Sequence, residues 1–78
     1  MPDFPDNPRH SIGAVSTLVR QRRRELGLNQ EDLADLAGCS PRFIRELEAG
    51  KSTVRLDKLV AALTALGLDL TVGRRHPG

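Results

Sequence analysis

Residues 29–50, NQEDLADLAGCSPRFIRELEAG, constrain the fold more than any other stretch of the chain. Asn29 and Ser40 are each placed to cap a helix, because a short oxygen-bearing side chain accepts from the free N–H groups of a first turn. Pro41 follows Ser40 at the first helical position, where its missing N–H costs nothing. Gly38 follows the apolar Leu36 and Ala37, at the point where a helix ends in a residue that tolerates positive φ. The stretch reads as two short helices, residues 30–37 and 41–49, joined by a tight turn. Leu33, Ala34 and Ala37 face inward from the first helix, and Phe43, Ile44 and Leu47 from the second. Arg42, Arg45, Glu46 and Ala49 are left on the outer side. Glu31 and Asp32 stand in the first turn of the first helix, where the positive end of its dipole favours them.

The rest of the chain reads as support for this unit. Pro2, Pro5 and Pro8 each disfavour helix at the preceding residue, so residues 1–10 are expected to be an extended, mobile tail. Ser11 then caps a first helix, with Ile12, Val15, Val19 and Leu26 at steps of three, four and seven and Leu18 flanking the stripe. Arg22 interrupts that stripe, but its stem can lie along apolar surface with the charge at the edge. Gly27 closes this helix. A fourth helix over residues 56–66 carries Leu56, Leu59, Val60, Leu63 and Leu66 at core spacing, and Gly67 ends it.

Beyond Gly67 the period changes. Leu68, Leu70 and Val72 alternate with Asp69, Thr71 and Gly73, the two-residue repeat of a half-buried strand. Every other segment reads as helix or tail, so the backbone of this strand needs a partner from elsewhere. The same strand of a second copy, paired antiparallel, supplies one; a frayed extension of the fourth helix is the alternative. Residues 74–78 read as a mobile basic tail.

Composition narrows the function classes. Seventy-eight residues hold one domain, and a chain this short buries only about 60% of its unfolded surface, which favours oligomerisation. With no Trp, no Tyr and two Phe, the core must be Leu, Val, Ile and Ala. Cys39 is the only cysteine, so there is no internal disulfide and no Cys-based metal site; it reads as a small buried residue beside the turn. No apolar run approaches the ~18 residues of a membrane span, and the N-terminus lacks a signal-peptide core. A reducing cytoplasm is the expected setting. His10 and His76 lie in the tails without a nucleophile at a meaningful spacing. Asp32 and Asp35 read as solvated or dipole-directed, and no phosphate-cradling loop or metal-ligand cluster is present. Neither an enzyme nor a cofactor is expected. The net charge is only +2, but Arg20, Arg22, Arg23 and Arg24 cluster near the end of the first helix. Arg42, Arg45, Lys51, Arg55 and Lys58 follow later. Gathered on one face these groups form an electrostatic footprint for phosphate; dispersed, they are a solvated surface.

The spacing of residues 29–50 fits both an αα-hairpin of any small bundle and a helix-turn-helix. The residues themselves go further. LVRQRRRELGLNQEDLADLAGCSPRFIRELEAGK resembles the helix-turn-helix of the Cro/C1-type (XRE) transcriptional regulators. The matches are LGLNQEDLA, then AGCS, then the I-x-x-L-E-x-G-K of residues 44–51, within a resemblance spanning residues 12–67. It implies an all-α, lambda-repressor-like domain of four helices over residues 11–67, to which residues 68–73 add a C-terminal β-strand for dimerisation through Leu68, Leu70 and Val72. Most of the family carries a fifth helix where this chain has GLDLTV. That ending is similar to the HipB-type antitoxins, whose C-terminal strand pairs across a dimer and which neutralise a HipA-type Ser/Thr kinase toxin. The resemblance thus implies a homodimeric repressor of its own operon on a palindromic double-stranded DNA operator, with a HipA-like kinase toxin as further partner. A stand-alone XRE regulator without a toxin, and a protein-interaction module on the same fold, are the alternatives.

The resemblance also assigns residues. Gln30 sits where the family contacts DNA backbone and orients a base-reading side chain; its amide and the helix N-terminus both suit a phosphate. The base-reading positions near the start of the third helix are Ser40, Pro41, Arg42, Arg45 and Glu46. Arg42 and Arg45 can fork onto guanine O6 and N7, and Glu46 can accept from cytosine N4; phosphate contact is the alternative for each arginine. Pro41 replaces the glutamine often found there, which removes an adenine contact. Arg23 and Glu48 match positions that form an ion pair between the first helix and the end of the third, and the same arginine can touch phosphate. Lys51, Ser52 and Thr53 fall where backbone N–H and hydroxyl groups meet phosphate, with a solvated loop as the alternative.

Overall fold

A computed structural model describes residues 8–74, with side chains from residue 13 onward; residues 1–7 and 75–78, most of the two expected tails, lie outside the described part. The elements are α1 (Pro8–Glu25), α2 (Gln30–Ala37), α3 (Pro41–Glu48) and α4 (Leu56–Ala65). α1 starts at Pro8 rather than at Ser11. Proline is tolerated in a first turn because the N–H it lacks has no intrahelical partner there.

Ser11 therefore lies inside α1 and does not cap it, whereas the caps expected at Asn29 and Ser40 are formed. Asn29 Oδ1 accepts from Asp32 N at 2.7 Å and Asp32 Oδ2 accepts from Asn29 N at 3.0 Å, a reciprocal capping box at the start of α2. Ser40 Oγ accepts from Phe43 N at 3.1 Å at the start of α3. Each helix also stops in the same way. Gly27, Gly38, Gly50 and Gly67 have positive φ, and the next residue donates back to a carbonyl five positions earlier. The four bonds are Leu28 to Arg23, Cys39 to Ala34 and Lys51 to Glu46, each 3.0 Å, and Leu68 to Leu63 at 2.8 Å. This pattern satisfies carbonyls that the end of a helix leaves open.

Val19, Leu33, Ala34, Ile44, Leu47, Ala62, Leu63 and Leu66 form the buried core. α2 packs against both α3 and α4, while α1 closes over α3. Cys39 is partly buried against this core, as expected of a packing residue, and burial pushes its thiol up in pKa, with Lys58 opposing the shift. Lys58 also sits 6.0 Å from the centre of the Phe43 ring.

The expected β-strand is not formed: among the described residues the chain is all-helical, and residues 68–73 carry no strand. The reason lies in how α4 ends. Leu68 is the third residue past the helix, its N–H closes the α4 terminus, and its side chain packs on the core. An apolar contact at that position commonly accompanies such a terminator. The alternation seen in the sequence therefore begins on a residue that belongs to α4, and Leu70 and Val72 are left exposed.

Two other apolar stripes were read too broadly. Leu56 and Val60 are exposed: among the described residues α4 packs chiefly against α2, and these two side chains lie off that face. On α1, Leu18 and Leu26 are exposed, and Arg22 lies over the core edge instead, its Nε donating to Leu66 O at 2.9 Å at the C-terminal end of α4.

Candidate nucleic-acid interface

The outer face of α3 is polar and carries the expected cluster. The Arg42 side chain is open to solvent, at 80% exposure. Arg45 is exposed and has no side-chain partner among the described residues. Glu46 is not free in the same way. Its Oε2 accepts from Lys51 Nζ at 2.9 Å and its Oε1 lies 3.7 Å from Arg42 Nε. The hydrogen bond from Lys51 and the charges of Lys51, Arg42 and Arg45 hold its carboxyl below its usual value, against the opposing effect of desolvation. Three cations and one carboxylate thus share this face.

Ser40 and Pro41 start α3, with the Ser40 hydroxyl accepting from the backbone, which leaves its O–H as the group available for an outside acceptor. Lys51, Ser52 and Thr53 follow α3 and are exposed on the loop to α4.

Behind α3 lies a buried ionic cluster centred on Glu48, whose side chain is 1% exposed. Arg23 Nε donates to Glu48 Oε2 at 2.6 Å and Arg23 Nη2 to Oε1 at 2.9 Å, while Nη1 donates to Leu28 O at 2.9 Å. The expected ion pair between α1 and the end of α3 is therefore present. Gln30 Nε2 also donates to Glu48 Oε1, at 3.2 Å. Burial pushes the Glu48 carboxyl up in pKa, but the bonds from Arg23 and Gln30 and the charges of Arg23 and Arg20 outweigh it and hold the group below its usual value. Arg23 moves the opposite way: its bond to Glu48 raises it, against desolvation.

Three contacts escaped the sequence reading. Arg20 Nη2 donates to Glu48 O at 3.1 Å, and Arg22 reaches α4 as described above. Ser16, buried on α1, donates to Leu47 O at 2.6 Å. Ser16, Val19 and Arg23 lie at steps of three and four, so a stripe that admitted polar residues would have found the α1 face toward α3.

Residues 19–72 match the helix-turn-helix family. The chain belongs to that family, in its XRE type. This helix-turn-helix protein is 41% identical over 58 residues to an uncharacterized HTH-type transcriptional regulator of Sinorhizobium fredii, an alignment covering 74% of this chain and 76% of the relative. It is also 41% identical over 62 residues to an uncharacterized HTH-type transcriptional regulator of Methanothermobacter thermautotrophicus, covering 80% and 81%. Among the described residues no helix is long and apolar enough to cross a membrane.

Proposed function

We propose that this protein is a sequence-specific DNA-binding transcriptional regulator that reads the major groove with the outer face of α3. The observation that carries the proposal is the unpartnered, exposed Arg45 beside Arg42 on a helix whose opposite side is fixed to α1 by a buried ion pair. A rigid helix with exposed guanidinium groups suits bidentate recognition of guanine. In this reading Arg45 and Arg42 contact bases. Ser40 and Pro41 set the approach of the α3 N-terminus, and Lys51, Ser52, Thr53 and the start of α2 at Gln30 meet phosphate. Glu46 either accepts from cytosine, giving up a cation to do so, or keeps Arg42 and Lys51 in place.

One α3 covers half of a site, so two copies on a palindrome with α3 units about 34–36 Å apart are the natural complement. The narrower likeness to HipB-type antitoxins drew on GLDLTV as a pairing strand. Gly67 and Leu68 of that segment end α4 and the rest forms no strand, so no described feature favours a kinase toxin as partner over a stand-alone regulator.

The test is a gel-shift titration on the DNA upstream of the protein's own reading frame over a salt series. Log affinity should fall linearly with log salt, by about 0.9 per phosphate neutralised. No retention at low salt contradicts the proposal and favours a protein-interaction module on the same fold.

A further inference from the structure

The α1 arginine that family likeness would put on phosphate is Arg23, yet its three guanidinium nitrogens are all engaged inside the protein and the residue is 9% exposed. One turn earlier, Arg20 is placed in the opposite way. Its Nη2 donates to Glu48 O at 3.1 Å, its Nε lies 3.5 Å from Glu48 Oε1, and its side chain is 47% exposed. Nη1 has no partner among the described residues.

Charge separates the two arginines further. The single negative charge of Glu48 faces two guanidinium groups, and the buried Arg23 takes it through two hydrogen bonds. The charge of Arg20 is left in excess at the surface. Its position is nevertheless fixed at both ends of the guanidinium, so the ordering cost of a long side chain is already met before a ligand arrives. Gln30, at the start of α2, is tied to the same carboxylate. Besides the buried Arg23, Glu48 therefore holds the Arg20 cation and the Gln30 amide donor, from two different helices, around a single point.

We propose that Arg20 is a DNA-phosphate contact of this protein, held by Glu48, and that it takes the phosphate role that the family resemblance implies for Arg23. The proposal rests on the DNA-binding reading above. A guanidinium with a free edge matches the oxygen pair of a phosphate in the fork geometry that lysine lacks. The rival account makes Arg20 only a clamp on the C-terminal end of α3, where a cation also suits the helix dipole.

Salt dependence separates the two. Affinity is measured against salt for the wild-type protein, Arg20→Ala and Arg20→Gln on the upstream DNA and on an unrelated duplex, with thermal melts of each variant. Arg20→Gln keeps a donor for Glu48 O and is the variant to use if Arg20→Ala does not fold. The expected result is a folded variant that binds both duplexes more weakly by a similar factor, with a slope shallower by about 0.9, so that its loss between 50 and 200 mM salt is about 3.5-fold smaller. Arg20→Lys should restore the slope. A folded neutral variant with the wild-type slope overturns the assignment of Arg20 while leaving DNA binding intact. Wild-type protein that binds neither duplex at low salt overturns the functional reading, and this assignment with it.

Discussion

Arg23 and Glu48 meet through two parallel hydrogen bonds of 2.6 and 2.9 Å, joining the last turn of the molecule's first helix to the last residue of its third. Removing one partner of a buried pair leaves the other charged and unpaired, which costs about 3–5 kcal/mol. A domain of this size has only about 4–12 kcal/mol in total. Glu48→Ala and Arg23→Ala should each lose a large fraction of the wild-type stability in urea titrations. A loss below about 1 kcal/mol for either variant contradicts a buried, structural pair.

The pH dependence follows from the same carboxylate. The folded-state pKa of Glu48 is held below its ordinary value of 4.5, so the unfolded chain binds a proton more readily than the folded one. Its stabilising contribution is complete above that ordinary value and is lost as the pH falls through the lowered folded value. Urea midpoints measured from neutral to acid pH should fall more steeply for the wild-type protein than for Glu48→Gln. Parallel curves mean that Glu48 does not carry the acid sensitivity.

Local chemistry made the centre of the fold legible. Asn29, Gly38, Ser40 and Pro41 each have a backbone role that only a few residue types can fill, and α2 and α3 follow from them. The ends of the chain were harder to read. Leu68 looked like the first inward residue of a strand because a helix terminator also wants an apolar residue there, and periodicity does not separate the two over so short a run. Leu56 and Val60 fit a core stripe, but the number of neighbours a helix will have is a tertiary fact. Arg42 and Arg45 are exposed on α3, as their spacing implies. The pairing of Glu46 with Lys51 and of Arg20 with Glu48 depends on side-chain directions that spacing does not give.

The segment after α4 offers a direct check on that correction. Leu68→Ala removes a side chain packed on the core and should cost about 1–2 kcal/mol, somewhat less than full burial of a leucine. Val72, 93% exposed, should tolerate alanine within about 0.5 kcal/mol. Equal costs at the two positions in thermal melts contradict a Leu68 that serves α4 alone.

Glycine substitutions should differ in sign. Gly38 has φ +69 with open space around an added Cβ, so Gly38→Ala suffers backbone strain alone, about 1–2 kcal/mol. Gly13 lies inside α1, also in open space, and Gly13→Ala should stabilise by about 0.5–1 kcal/mol. Unfolding midpoints of the two variants on opposite sides of the wild type are the expected outcome; a shift in the same direction contradicts it.

The central claim is that the α3 arginines read sequence, and a comparison of specific and non-specific affinity tests it most directly. Wild-type protein and Arg45→Ala are titrated with the upstream DNA and with an unrelated duplex at one salt concentration. The wild-type protein should prefer its own site by at least about 10³-fold. Arg45→Ala should lose about 1–3 kcal/mol of that preference, some 5- to 150-fold, with a smaller loss on the unrelated duplex. Equal losses on the two duplexes, or a wild-type protein that does not distinguish them, contradict the claim.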